Sequence, residues 1–359
     1  MKKIAIDFRE AVKPTRAGKG EYVYQLVRAW LESGLEADLT LLISDGQVID
    51  LPLGRWQAKS FSGSIWWHWQ VIWWLRRRPV DVYLATLSFI VPALTRSVPM
   101  VTTLFDFTAW RFPRTHLSKA VWLEKLFAGR AIKNSTHLLA ISKFTKQEAM
   151  ALFGASAEKI TVTPMAVAKQ FKPLLSDPVI RAKYHLPEKF ILYLGTIEPR
   201  KNLPILVEAF NQISSQLPGI ALVLAGGIGW QAESILRLAS ERIIFPGYIK
   251  DDDRPGVYNL AEIFVFPSLY EGFGIPPLEA MACGIPAIVS DQASLPGVVG
   301  NAAIKVPANN PTSLAEAMVQ LLSNSDTSER LRQAGLRRVK EFTWQHTAEL
   351  TWETIKRYG

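Results

Sequence analysis

Two glutamates and one basic pair carry the chemistry that can be read from this sequence. In "FVFPSLYEGFGIPPLEAMACGIP" a strand-like apolar run ends at Pro267–Ser268, and a turn holding Gly272 and Gly274 follows. Pro276 and Pro277 suit the first turn of a helix that continues through "LEAMACG" and stops near Gly284. The turn therefore offers backbone N–H groups at a helix N-terminus, where a phosphate binds readily. Glu271 precedes this turn and Glu279 lies eight positions on. Carboxylates do not bind the anion itself; they suit hydroxyl-rich groups on either side of it, such as a ribose and a hexose. The alternatives are that Glu279 only complements the helix dipole and that Glu271 is solvated. In "YLGTIEPRKNLPILVEAF" a strand ends at Gly195, and Arg200 and Lys201 stand just before a helix. There they can clamp a diphosphate, Arg as a fork and Lys as a point charge, or form an exposed basic pair.

Weaker signals lie upstream. "AGKGEYVYQL" places Gly18 and Gly20 between the first strand and its helix, a spacing that a plain turn would also produce. "TTLFDFTAWRFP" puts Asp106 at a strand end, where it either meets a substrate hydroxyl or caps the following turn. His68, His116, His137, His185 and His346 form no ligand-like cluster, so no metal site is expected.

The elements that must hold these residues follow an α/β pattern. "KIAIDF", "ADLTLLI", "DVYLAT", "VPMVTTLFD" and "THLLAIS" read as strands with helical stretches between them. A second series opens at "FILYLG" and runs through "IALVLAGG", "IFVFPS" and "PAIVS". This predicts two doubly wound domains sharing a cleft at the carboxyl ends of their strands. We place them at 1–170 and 189–340, with a linker over 171–188. A terminal helix over 341–359 is expected to pack back toward the N-terminal domain. At 359 residues, with one fifth charged, the chain reads as globular. Its single cysteine, its lack of an ~18-residue apolar run and an N-terminus without signal-peptide character point to the cytoplasm.

The motifs resemble glycosyltransferase family 4, a group of retaining enzymes with two Rossmann-like domains facing across a cleft, the GT-B architecture. "SLYEGFGIPPLEAMACGIP" is similar to the family's E-x7-E signature, and "EPRKN" to its donor-phosphate element. The resemblance implies Glu271 near the transferred sugar and the amides of Phe273, Gly274 and Ile275 on sugar and diphosphate. It further implies Glu279 on the ribose hydroxyls, Arg200 and Lys201 on the diphosphate, and Gly18 and Gly20 in the N-terminal glycine loop. Two positions depart from it. Phe105 stands where the family usually has a histidine beside Asp106, and Thr196 where many relatives carry an arginine. The implied reaction is transfer of a hexose from a nucleoside diphosphate sugar to a hydroxyl of a saccharide or lipid-linked saccharide, with retained configuration. Neither metal nor cofactor is implied, and the wording favours GDP-mannose over UDP-sugars. A GT-B epimerase or a catalytically weak carbohydrate- or nucleotide-binding relative is the alternative.

Charge and tryptophan gather in the first half. Residues 1–170 hold 23 Lys and Arg against 13 Asp and Glu, and nine of the twelve tryptophans. Such a surface suits an anionic partner, but no nucleic-acid recognition motif accompanies it. "SIWWHWQVIWWLRRR" is apolar nearly all round, yet too short to span a bilayer. At 100° per residue Trp66, Trp69 and Trp73 share one face, and Trp67 and Trp74 an adjoining one. Part of this helix must pack on the sheet. The remainder, a surface set drawn from Trp66, Trp67, Trp69, Trp73 and Trp74 with Arg76, Arg77 and Arg78, is expected either to touch an anionic membrane or to pack as well.

Overall fold

The computed structural model describes residues 1–359 except Pro14, Thr15, Ala17, Arg78 and residues 113–117, and the side chains of Ile65 and residues 118–120. Arg78 and His116 therefore lie outside the described residues. The chain divides into two compact units. Counting described residues only, the first comprises residues 1–111, 118–165 and 343–359; the second comprises Phe112 and residues 166–342.

The first unit opens with β1 (Lys2–Asp7), α1 (Gly18–Glu32), β2 (Ala37–Ser44), β3 (Trp56–Phe61) and α2 (Ile65–Leu75). It continues through β4 (Val82–Ala85), α3 (Ile90–Leu94), β5 (Met100–Leu104), α4 (Thr108–Arg111) and α5 (Ser118–Asn134). β6 (His137–Ala140), α6 (Lys143–Phe153) and β7 (Ile160–Val162) complete the run. The second unit starts with α7 (Pro178–Lys183), β8 (Lys189–Leu194), α8 (Leu203–Ile213), β9 (Ile220–Ala225) and α9 (Glu233–Leu236). Then come β10 (Ile243–Ile244), α10 (Arg254–Asn259), β11 (Ile263–Phe266), α11 (Ile275–Ala282) and β12 (Ala287–Ser290). α12 (Leu295–Val299), β13 (Ala303–Val306), α13 (Pro311–Ser323) and α14 (Ser325–Val339) follow, and α15 (Trp344–Tyr358) ends the chain.

Both sheets are wholly parallel. The first has strand order β3-β2-β1-β4-β5-β6-β7 and the second β10-β9-β8-β11-β12-β13. Helices cover parallel sheets on both faces, so central strands read as unbroken apolar runs. β4 (VYLA) and β11 (IFVF) are buried at every position. In each sheet the order reverses beside one strand, β1 in the first and β8 in the second. The crevice outside the carboxyl ends at such a switch point is where open α/β sheets take ligands.

α15 returns to the first unit and packs on α1, where Trp30 donates its indole N–H to the Ala348 carbonyl at 2.8 Å. Thr343 caps its start by accepting from the His346 amide. The residues read as a linker, 171–188, belong to the second unit. There Asp177 caps α7, and the Tyr184 hydroxyl bonds the Asp253 carboxylate at 2.5 Å.

The tryptophans of α2 divide as helical periodicity requires. Trp66, Trp69 and Trp73 are exposed, at 67%, 46% and 63%, whereas Trp67 is fully buried. Trp67 joins the core with Val71, Ile72 and Leu75 and donates to the Ile43 carbonyl at 2.9 Å. The Arg9 guanidinium covers its ring at 3.5 Å. Trp67 is thus removed from the surface set, and Trp74 is only half-buried against the same core. Among the described residues no helix is long and apolar enough to cross a membrane.

His137, at the start of β6, gives the first unit a pH-dependent term. Its ring stacks on Tyr358 at 4.0 Å, its Nε2 lies 2.9 Å from the Thr161 hydroxyl, and it is 1% exposed. Burial, reinforced by Lys159, Arg357 and Lys146, pushes its pKa down to about 4. Below pH ~6.5 the unfolded chain therefore binds a proton that the folded chain refuses, so stability falls from there toward pH 4. His137→Gln should shrink the drop in Tm between pH 7.5 and pH 5, measured by calorimetry (~7.5 and ~5 bracket the free histidine pKa). An unchanged drop would count against this histidine.

Candidate active site

The switch point of the second sheet gathers the basic pair and the first glutamate. β8 ends at Leu194, and a short 3₁₀ turn, Pro199–Lys201, leads into α8. Asn202, at φ 58°, turns the chain between them and is tied to the Ala308 carbonyl at 2.7 Å. β11, the neighbour of β8, leads to Ser268 and Glu271. The Lys201 ammonium and the Ser268 hydroxyl both donate to Glu271 Oε1 at 2.6 Å. Arg200 places Nη1 3.2 Å from Glu271 Oε2 and donates to the Tyr270 carbonyl at 2.5 Å. Its Nη2 donates to Glu198 at 2.6 Å.

The electrostatics are those of a fixed, nearly dry ion cluster. Burial alone would raise the Glu271 pKa, but the charges of Lys201 and Arg200 and two hydrogen bonds outweigh it and hold the carboxyl below its ordinary value. Burial lowers the Lys201 pKa, and Arg200 adds to this, while Glu271 opposes it. The two cations face two carboxylates, Glu198 and Glu271, so each side chain is oriented before any ligand arrives. Oriented donors at low dielectric are the arrangement that stabilises charge developing on a leaving group.

Next to this cluster α11 begins. Gly274 precedes it with φ 98°, and a Cβ there would lie 2.5 Å from a Leu295 methyl, so only glycine fits. The Ser294 hydroxyl lies 2.8 Å from the carbonyls of both Glu271 and Phe273 and pins the turn. Phe273 and Gly274 are buried, and Ile275 opens the helix behind Pro276 and Pro277. Glu279, on the buried face of α11, is 4% exposed. Its Oε2 accepts from Arg254 and, at 2.8 Å, from the Tyr258 hydroxyl. Burial pushes its pKa up against the pull of Arg254. Glu279 is therefore an internal ion-pair partner as well as a candidate for a ligand hydroxyl.

In the first unit the glycine signal resolves into two different positions. A Cβ on Gly20 would meet the Glu10 carbonyl oxygen at 2.5 Å, whereas Gly18 has open space around it. Gly20 is needed for close approach of α1 to the loop after β1; Gly18 is not. Phe105 is buried against Tyr22, ring to ring at 5.2 Å, with the Lys19 ammonium 5.6 Å from its centroid. Asp106 accepts from the Thr108 amide at 2.9 Å and so caps α4. Thr196 is exposed, and its carbonyl accepts from the Tyr193 hydroxyl at 2.9 Å.

Sequence reasoning had no hold on Ser268, Ser294, Glu198, Arg254 or Tyr258. Ser268 and Glu198 sit inside the quoted motifs, and their strand-end and turn positions were the available signal. Ser294 and Arg254 lie 23 and 25 residues from their partners, with no spacing rule to connect them. Among the described residues no three His, Cys, Asp or Glu side chains group so as to hold a metal ion.

The family model for Glycosyl transferases group 1 matches residues 177–338, and that for Glycosyltransferase Family 4 matches residues 17–170. The chain is 31% identical to the O-antigen chain mannosyltransferase B of Escherichia coli, over 97% of both chains. It is 34% identical to the E. coli serotype-specific mannosyltransferase WbdA over 61% of this chain and 28% of that one. A GDP-mannose-dependent phosphatidylinositol monomannoside mannosyltransferase of Mycobacterium tuberculosis is 28% identical over 63% of this chain and 61% of its own length. In fold, the sucrose-phosphate synthase of Thermosynechococcus elongatus superposes with TM-score 0.78 over 99% of each chain at 19% identity.

Proposed function

Because this chain belongs to glycosyltransferase family 4, we propose that it moves mannose from GDP-mannose to a hydroxyl of a saccharide or lipid-linked saccharide. The mannosyltransferases it resembles favour this donor, and UDP-sugars come second. We assign it retained anomeric configuration and no metal requirement. The observation that carries the reading is the Arg200–Lys201–Glu271 cluster beside the N-terminus of α11.

The main task in such a transfer is to stabilise negative charge on the departing diphosphate. Lys201, Arg200 and the amides of Phe273, Gly274 and Ile275 supply positive potential for it. Lys201 contributes an ammonium held by Glu271, and Arg200 a guanidinium fixed by Glu198 and the Tyr270 carbonyl. Glu271, kept ionised by its neighbours, accepts from hydroxyls of the transferred sugar and positions it. The leaving phosphate can take the acceptor proton, so no protein base is needed, and Phe105 in place of a histidine is compatible with turnover. Glu279 is assigned to the ribose hydroxyls. Gly18, Gly20 and Asp106, on the first unit, are assigned to the glycine loop and the acceptor side.

Trp66, Trp69, Trp73, Arg76 and Arg77 are proposed to hold the enzyme at the inner face of an anionic membrane, where a lipid-borne acceptor is presented. The donor assignment is tested by nucleoside diphosphate release from a panel of nucleotide sugars with an oligomannoside acceptor. GDP-mannose should give the fastest release. Faster release from a UDP-sugar would move the donor, and epimer formation without acceptor would remove the transferase reading.

A further inference from the structure

One face of the first sheet carries α2, α3 and α5 in a row, as right-handed crossovers from β3 to β4, β4 to β5 and β5 to β6 require, and α3 packs against both neighbours. α5 shows a surface of the same kind as α2. Trp122 and Leu126 are 62% and 53% exposed, and Arg130 and Lys133 continue that stripe at helical spacing. Between α3 and α5 lies a cavity of about 610 Å³ lined by Arg96, Arg130, Lys133 and Asn134 among others, with no acidic residue among the described residues of its lining. Asn134 fixes Arg96, accepting from its Nε at 2.8 Å, and donates in turn to the carbonyls of Pro92 and Ala93. A neutral amide thus orients the guanidinium without cancelling its charge. Lys159, whose ammonium bonds the carbonyls of Ile132 and Lys133 at 2.9 and 3.0 Å, adds a fourth cation. Its pKa is lowered by burial and then by the nearby Arg96. Like charges collected in this way among the described residues favour a bound anion.

We propose that this face docks on an anionic bilayer and that the α3–α5 cavity seats a phospholipid phosphate between Arg96, Arg130 and Lys133. Exposed tryptophans on both flanking helices favour a lipid source over free phosphate, since such rings settle at the headgroup level. The proposal extends the membrane reading of α2 and is independent of the nucleotide-sugar chemistry. None of these residues belongs to the candidate active site.

The test is co-sedimentation of the full-length protein with phosphatidylcholine vesicles, with and without phosphatidylglycerol. The Arg96→Gln/Arg130→Gln/Lys133→Gln variant should lose roughly a hundredfold in affinity for the anionic vesicles, at about a factor of ten or less per charge. Its binding to neutral vesicles and its rate of nucleotide release should stay at wild-type values. Should that variant not fold, Arg130→Gln/Lys133→Gln, both at exposed positions, should lose roughly thirtyfold. Trp66→Ala/Trp69→Ala/Trp73→Ala should weaken binding to both vesicle types, which separates failure of the cavity from failure of α2. Wild-type binding to anionic vesicles by a folded cavity variant would overturn the proposal. So would an equal loss on removing the charges of Lys356 and Arg357 on α15. Inorganic phosphate binding to the cavity with vesicle binding unchanged would likewise overturn the lipid assignment.

Discussion

Lys201→Ala lowers turnover about a hundred- to a thousandfold while the protein still folds and still binds donor. Two losses combine in this variant. The ammonium assigned to the departing diphosphate is gone, and Glu271 loses the partner that opposes its burial most strongly. With that opposition to burial weakened, the Glu271 pKa moves up. Folding survives because Arg200 and Ser268 still hold the carboxylate from two sides. Steady-state kinetics together with a thermal melt check this. A wild-type kcat in the folded variant would remove Lys201 from the mechanism. Lys201→Arg should recover little, because a planar fork cannot reproduce a point charge inside a buried cluster.

Glu279→Ala destabilises the second unit by about 3–5 kcal/mol, the usual cost of breaking a buried ion pair on one side. The charge left behind is Arg254, packed against Phe171 at 5.5 Å from its ring and left only the half-exposed Asp251 at 3.6 Å, together with a Tyr258 hydroxyl that has lost its acceptor. Replacing both ends, Glu279→Ala with Arg254→Met, should restore much of the loss, because no guanidinium then lacks its buried partner. Denaturant melts of the two variants measure this directly. If the single variant is as stable as wild type, the pair is not structural. The ribose role is better tested with Glu279→Gln, which keeps the shape and an acceptor for Tyr258. It should weaken nucleotide binding more than it lowers the melting temperature, and unchanged affinity would count against that role.

Much of the second unit's site was legible because its signals are local. Strand ends, turn glycines and the Pro276–Pro277 helix start fall within short windows, so Glu271, Arg200 and Lys201 could be placed at the ends of β8 and β11 from the sequence. That these two strands are neighbours at the switch point depends on topology. What the sequence hid were partnerships across 21 to 25 residues, chiefly Tyr258 and Arg254 with Glu279. Nothing in the spacing of three residues on α10 and α11 shows that their side chains converge. The tryptophan helix was legible by periodicity alone. The 100° rotation separated Trp66, Trp69 and Trp73 from Trp67, although only the core shows that Trp67 is wholly internal. The α5 stripe escaped notice because Trp122, Leu126, Arg130 and Lys133 form no conspicuous run. At the start of α1, where the sequence reads as a loop before the helix, two glycines two positions apart have different reasons. Only the 2.5 Å approach to the Glu10 carbonyl tells Gly20 from Gly18.

Glu271, held ionised by Lys201 and Arg200, is proposed to position the sugar for transfer from a nucleoside diphosphate. Single-turnover release of GDP from GDP-mannose, with saccharide acceptor present, should be compared between wild type and Glu271→Gln, with GDP affinity measured in parallel. Release should slow roughly a thousandfold, with GDP bound as tightly as before or more tightly, since one negative charge has left the proposed phosphate site. Release at the wild-type rate by the folded variant would contradict it.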